Sequence, residues 1–318
     1  MEFEFATLDV FTSKRMEGNP LAVVKVPAAL KDKLTQAQKQ KIAQEFNLSE
    51  TTFLHLPEDG DAKPLALAVD IFTIESELPF AGHPTIGTAV LARHHLFPSV
   101  ATLDIKAGPI GLEPYGPSSH IRAKIPHNVH LHARTLADVI PADRHASYEG
   151  LSHGDPAIRA AELSAPAFSI VRGMTFVLVK LPSLELLGRV GRTRLDFAKT
   201  PAPLLDPEWA PSFVARYYYV DGGEEGGARK IRTRMVELGF EDPATGSAAS
   251  CLAAYLTLAE GGGEGKGFEI VQGVEMGRRS EIRVDTTAER DEKGQVQIND
   301  LYLGGEAVVV QKGTIMVD

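Results

Sequence analysis

Alternating apolar positions rich in Phe, Val and Leu predict strands over residues 3–11 and 21–26, with Gly18-Asn19-Pro20 breaking the chain between them. Thr35 followed three residues later by Gln38 has the form of a capping box, and predicts a helix running to about Phe46 and closed by Asn47. Strands are expected at 51–56 and 65–73, separated by the loop 57–64, and then a helix at 85–95. Short strands follow at 101–105, 111–114 and 120–125. Residues 126–165 are polar, rich in histidine and weakly periodic, and their start marks the expected domain crossover. Beyond them a hairpin is expected at 167–171 and 175–180 around Gly173, and a short helix opening at 184–187. A strand at 213–220, a charged glycine-rich turn at 221–227, a strand at 229–236 and a helix at 246–260 come next. The tail reads as strands at 267–272, 280–285, 296–304, 306–310 and 314–317. Many strands around one principal helix in each half make an α+β protein, not the βαβ alternation of a dinucleotide fold. Gly261-Gly262-Gly263 reads as a flexible turn after a helix and lacks the context of a phosphate-binding loop.

The two principal helices open on the same motif. Pro84-Thr85-Ile86-Gly87-Thr88-Ala89 and Pro243-Ala244-Thr245-Gly246-Ser247-Ala248 both read Pro-x-x-Gly-[Ser/Thr]-Ala, and each follows a residue able to carry a proton, His83 or Asp242. Each copy reads as a turn feeding the N-terminus of a buried helix, where loose N–H groups and the positive dipole end suit an anion such as a carboxylate. One such turn per half predicts two similar lobes facing one ligand, with Thr88 and Ser247 as equivalents in the first helical turn.

A length of 318 residues favours two domains. The formal charge of −9 argues against nucleic acid or an anionic membrane as partner, since both need a basic face. Cys251 is the only cysteine, so no intrachain disulfide and no paired-cysteine zinc site is available. No apolar run approaches a membrane span, and Met1-Glu2-Phe3-Glu4-Phe5 begins as a strand rather than a leader, which gives a cytoplasmic expectation. No nicotinamide, pyridoxal phosphate or metal motif is present, so no cofactor is expected.

Glu50 lies between a helix end and a strand start, where a carboxylate is either a solvated turn residue or a buried acid/base. His83, held between Gly82 and Pro84, is either a turn residue or a chemical group. Asp242 suits an N-cap, a role compatible with bordering an anion site. Ser247 is in no nucleophile elbow and reads as a hydroxyl donor to a carboxylate. Cys251 reads as core packing. The other histidines, including His94, His95, His127, His130 and His132, read as surface residues rather than metal ligands.

Taken together these segments resemble the PhzF-like phenazine biosynthesis family, of the diaminopimelate epimerase-like fold. The resemblance is carried by Asp9-Val10-Phe11, Gly18-Asn19-Pro20-Leu21-Ala22-Val23, Leu48-Ser49-Glu50-Thr51, Ile71-Phe72-Thr73 and Glu77-Leu78-Pro79-Phe80-Ala81-Gly82-His83-Pro84-Thr85. In the second half it rests on the stretch from Glu241 to Ala248, on Gln272-Gly273 and on Met276-Gly277-Arg278. It implies two pseudo-symmetric lobes, each a curled, barrel-like mixed sheet around a central helix, with the active site between them, and commonly a homodimer. The lobes would be residues 1–125, open to recruiting the strand 306–318, and 126–305. In the phenazine enzyme a glutamate moves a proton between carbons of a dihydro-hydroxyanthranilate without a cofactor. That glutamate falls on Glu50, and the supporting histidine, aspartate and serine fall on His83, Asp242 and Ser247. With one cysteine, the two-thiol mechanism of racemases of this fold is excluded. Asp70 stands where many members have arginine, Ile74 where proline is frequent, and Arg279 where proline usually follows Gly-Arg. These departures put substrate identity in doubt.

The expectation is therefore a cofactor-independent isomerase of a small carboxylate-bearing metabolite. Glu50, His83 and Asp242 would be catalytic, and Asn19, Gly82, Thr85, Thr245, Gly246 and Ser247 would contact substrate. The alternatives are a non-catalytic metabolite-binding or protein-interaction member of the fold, and an epimerase or lyase using the same glutamate.

Overall fold

The Thr35 capping box forms: the Thr35 hydroxyl accepts from the Gln38 N–H at 3.3 Å, and the Gln38 side chain accepts from the Thr35 N–H at 2.9 Å. Helix α1, Gln36–Phe46, ends on Asn47 in the left-handed conformation. The computed structural model describes residues 1–318 apart from 59–61, 117–118, 238, 261–264 and 291–293, so the triple-glycine turn lies outside the described residues. The chain divides into two compact units, Met1–Ile125 with Leu303–Asp318, and Pro126–Tyr302.

The first unit contains β1 Glu2–Val10, β2 Asn19–Val26, β3 Thr51–His55, β4 Ala66–Phe72, β5 Glu77–Leu78, β6 Thr102–Ile105, β7 Gly108–Pro114 and β8 Ile121–Lys124. The C-terminal strand Ala307–Met316 runs antiparallel along β1, with a bulge at Thr7/Leu8. It is one continuous strand, not the two expected. Asn19 and Pro20 already belong to β2, opposite Val10 and Asp9, because proline is tolerated at a strand's start. Helix α2, Gly82–Val90, starts three residues earlier than expected and continues as a π-helix over Leu91–Leu96. Pro84 is third in the first turn, where its missing N–H costs nothing. Every residue of α2 is buried, against β1, β2, β3, β8 and the C-terminal strand. A Cβ on Gly87 would meet Leu21 and Val10 side chains at 2.6 Å, so the motif glycine permits this close approach. On the opposite face, Ile42 and Ala43 of α1 pack with Phe3, Val24, Phe53 and Phe72.

The second unit contains β9 His130–Leu131, helices α3 Leu136–Val139 and α4 Pro156–Ser164, β10 Ala167–Val171, β11 Met174–Lys180, helix α5 Leu184–Arg189, β12 Phe213–Glu225, β13 Ala228–Arg234, helix α6 Gly246–Ala259, β14 Lys266–Gln272 and β15 Ser280–Arg290. Strand β16, Val296–Gly305, leads out of it. Where a plain turn was expected after Val220, β12 runs on through an irregular register between Asp221 and Glu224.

The pairing sequence is the same in both units. Strands β1–β2, β3–β4 and β6–β7 are antiparallel, while β2–β3 and β4–β6 are parallel. Likewise β10–β11, β12–β13 and β14–β15 are antiparallel, while β11–β12 and β13–β14 are parallel. A parallel pair needs a crossover, and the second crossover carries the buried helix each time, α2 or α6. Helix α6 packs against β10, β11, β14 and β15. The repeated motif thus marks a repeated topology.

Residues 126–165 are more ordered than their polar composition suggests. Asp155 caps α4 by accepting from the Ala157 and Ile158 N–H groups, and Pro156 occupies the first turn. Leu136, Val139, Ile140, Leu151 and Ile158 enter one core with Val177, Val179 and Leu187. Fully buried Arg216 on β12 ties this layer to the sheet, its Nη1 2.8 Å from Glu162 of α4 and its Nε 2.5 Å from Glu237.

Candidate functional site

In the first unit, β2 and β3 are parallel neighbours with Ala22 opposite Thr51, so Asn19 at the start of one and Glu50 just before the other emerge at the same end. The left-handed turn at Asn47 leaves only Leu48 and Ser49 to reach Glu50. His83 occupies the second position of α2, inside the helix rather than before it. The buried Asn19 amide lies 3.4 Å from His83 Nδ1. With that amide donating, the neutral imidazole carries its proton on Nε2, which is 3.6 Å from Glu50 Oε2. This Glu50 oxygen is buried with no hydrogen-bond partner, although the side chain as a whole is 17% exposed. Burial pushes the Glu50 carboxyl above the usual glutamate range, and hydrogen bonding from Ser49 only partly offsets it. Such a group takes up a proton more readily than a solvated carboxylate and can return it later in a reaction.

The N-cap of α2, Ala81, makes no side-chain capping bond to the first turn of the helix. Thr85 is buried and donates its hydroxyl to the Ala81 carbonyl at 2.7 Å, which closes the first turn. Thr88 is not in that turn. It lies a turn deeper, paired with Thr52 of β3 at 2.9 Å, so its expected equivalence to Ser247 in a first turn fails. Measured from the motif proline, α2 begins two residues before Pro84 and α6 begins three residues after Pro243.

The second unit delays its helix for an identifiable reason. Asp242 is not the N-cap; that position is Thr245, whose side chain makes no capping bond. The Thr245 hydroxyl instead donates to Asp242 Oδ2 at 2.6 Å, and the Asp242 N–H is tied to the Met235 carbonyl. Gly246 and Ser247 open α6, and Ser247 is half-buried. Glu241 is held by a two-pronged pair with Arg234 at 2.8 and 2.9 Å, so of the adjacent acids Glu241 is structural and Asp242 remains the candidate. Sequence reasoning missed Gln272, which is fully buried and bonds both Asp242 and Thr245. Its neighbour Gly273 was the available signal: at φ 74° a Cβ there would meet the Pro243 carbonyl at 2.7 Å.

The remaining candidates have structural explanations. Cys251 is buried, donates to the Phe168 carbonyl, and has its thiol pushed well up by burial. His132 is buried, not on the surface, and forms a cluster with His130 and Asp206. Both its ring nitrogens are engaged, Nδ1 by the Asp206 N–H at 3.1 Å and Nε2 by the Ser169 hydroxyl at 2.8 Å, which leaves no lone pair directed to a metal. Asp70 shares the α1 face of its strand, opposite Phe53, and pairs with Lys39 and His55 at 2.5 and 2.8 Å, away from α2. Ile74 and Arg279 are exposed or pair outward, so none of the three departures touches these two constellations.

Residues 8–313 match the model of the phenazine biosynthesis-like protein family. An uncharacterised isomerase from Mesorhizobium japonicum is 34% identical over 97% of each chain. The trans-2,3-dihydro-3-hydroxyanthranilate isomerase of Pseudomonas fluorescens is 30% identical over 98% of this chain and 99% of its own. The crystal structure of a PhzF-family protein from Bacillus anthracis superposes over the full length of both chains with a TM-score of 0.72 at 21% identity, a likeness of fold. The chain belongs to the phenazine biosynthesis-like (PhzC-PhzF) family and, like these full-length relatives, is an enzyme of the isomerase class.

Proposed function

We propose that the chain moves a carbon-bound proton within a small carboxylate-bearing metabolite, without a cofactor, using Glu50 as the acid/base. The observation that carries this reading is the orphaned, buried Glu50 oxygen beside an imidazole whose far nitrogen is held by Asn19. Glu50 takes a proton from one carbon and returns it to another, so the substrate is neither oxidised nor reduced. His83 orients the substrate and holds charge developing beside Glu50. In this reading Asp242 polarises the substrate, and Ser247, Gly246 and the Gly82 turn receive its carboxylate. The engaged hydroxyls of Thr85 and Thr245 favour shaping these turns over touching the substrate. The reading includes a homodimer in the cytoplasm, the dimer being testable by light scattering.

The relative's substrate, trans-2,3-dihydro-3-hydroxyanthranilate, is the first compound to test. Incubated with the protein in D2O and followed by NMR, it should isomerise, with any deuterium confined to the carbons that exchange the proton. Binding with no isomerisation and no exchange would favour the non-catalytic alternative. No binding at all would remove this substrate and turn the search to other small carboxylates.

A further inference from the structure

The amide of Gln272 has only one orientation compatible with its surroundings. The Thr245 N–H can only donate and lies 3.3 Å from Oε1; the Asp242 carbonyl can only accept and lies 2.8 Å from Nε2. Oε1 also receives the Tyr217 hydroxyl at 2.9 Å, which in turn lies 2.9 Å from the Thr233 hydroxyl. The second Nε2 hydrogen points to Thr245 Oγ1 at 3.0 Å. That contact fills an acceptor site on the Thr245 oxygen and directs the hydroxyl proton to Asp242 Oδ2, 2.6 Å away. The chain thus runs from Tyr217 through Gln272 and Thr245 to the Asp242 carboxylate just before α6. Buried polar networks that are fully satisfied hold a unique geometry.

We infer that Gln272 is a positioning residue for Asp242, acting through the Thr245 hydroxyl, and that Thr245 serves the carboxylate rather than the substrate. The inference rests on the isomerase reading above only for the claim that Asp242 meets the substrate. Of the neighbouring groups, Arg234 and Glu241 close on each other, and burial keeps the proton on Tyr217.

The substrate-free test follows the side-chain carboxyl resonance of Asp242 in ¹³C-aspartate-labelled protein as pH is varied. Loss of the hydroxyl that donates to the charged form in Thr245→Val, or of the amide that directs that hydroxyl in Gln272→Met, should move the titration midpoint upward by about half a unit or more, while Thr245→Ser should keep the wild-type midpoint. Thermal unfolding checks that each variant is folded. An unmoved midpoint in folded Gln272→Met overturns the inference, and if that variant does not fold, an unmoved midpoint in Thr245→Val does so. With a substrate that the wild type turns over, Gln272→Met should lower kcat on the order of 10- to 100-fold with little change in KM. The same substitution should cost nothing further in an Asp242→Asn background, and a full additional loss there would mean a merely structural role and overturn the inference. A shifted midpoint in a protein that turns over no substrate would count against the isomerase reading while supporting the positioning of Asp242.

Discussion

Replacing Arg216 by Met should be among the most destabilising single changes in the second unit. Arg216 is fully buried, and its guanidinium reaches Glu237 at 2.5 and 3.2 Å, Glu162 at 2.8 Å and Thr193 at 3.1 Å. The two carboxylates are themselves buried, at 1% and 2% exposure, so methionine would leave two negative charges facing each other without a cation. Other donors soften the loss: Tyr218 at 2.6 Å and the Ser152 N–H at 2.8 Å serve Glu162, and the Leu195 N–H at 2.6 Å serves Glu237. Breaking a buried ion pair by removing one partner costs about 3–5 kcal/mol. For a unit of this size that is a fall in Tm of roughly 6–20 °C, from about 2–4 °C per kcal/mol. Adding Glu162→Gln and Glu237→Gln in the Arg216→Met background removes the uncompensated charge and should recover part of the loss. The assay is thermal and urea unfolding, with hydrogen exchange on residues 126–165 to detect loosening of α4. A loss below about 1 kcal/mol, the value of an exposed pair, would refute the reasoning, as would Gln substitutions that recover nothing.

Three further outcomes are expected. Burial raises the Asp70 carboxyl, but hydrogen bonds from His55 and Lys39 outweigh it and hold it below the usual aspartate range. Its contribution is therefore present above the unfolded value of about 3.9 and lost as pH falls through the lower folded value, so Asp70→Asn should be less stable than wild type at pH 7 and equal to it in acid, by urea unfolding across pH. Gly273→Ala should displace the Pro243 carbonyl or the Arg278 carbonyl 2.3 Å from the new Cβ, lowering both Tm and the substrate affinity measured by calorimetry. Cys251→Ala should leave turnover within about twofold of wild type, because the thiol fills core space and donates to the Phe168 carbonyl, and folded wild type should resist a thiol reagent until unfolded.

The parts of the fold written in local chemistry were legible in the sequence. Thr35 and Gln38 cap α1 by a contact three residues long, and Asn47 ends it by its own backbone conformation. The twin Pro-x-x-Gly motifs announced a repeated unit, although the two helices start at different distances from the motif proline. Long-range contacts were not legible. Gly273 marks a tight spot beside Gln272, but not that Gln272 bonds residues 27 and 30 positions away. Asp70 looked like a departure at the site, and only its strand-face partners, Lys39 and His55, explain it. Residues 126–165 read as weakly periodic because their apolar residues are irregularly spaced along the chain and converge only on the core of the second unit. Glu50 and His83 could be singled out, but their 3.6 Å approach depends on β2 and β3 being parallel neighbours beside α2.

The role of Glu50 is tested most directly by comparing Glu50→Gln with wild type on a compound that the wild type isomerises, with turnover followed by NMR and affinity measured by calorimetry. The amide matches the carboxyl in shape but cannot accept and return the proton. Turnover should fall by roughly 10²–10⁴ while the dissociation constant stays nearly unchanged, as expected for loss of a general acid–base. Near-normal turnover in Glu50→Gln would contradict the proposal and remove Glu50 from the mechanism.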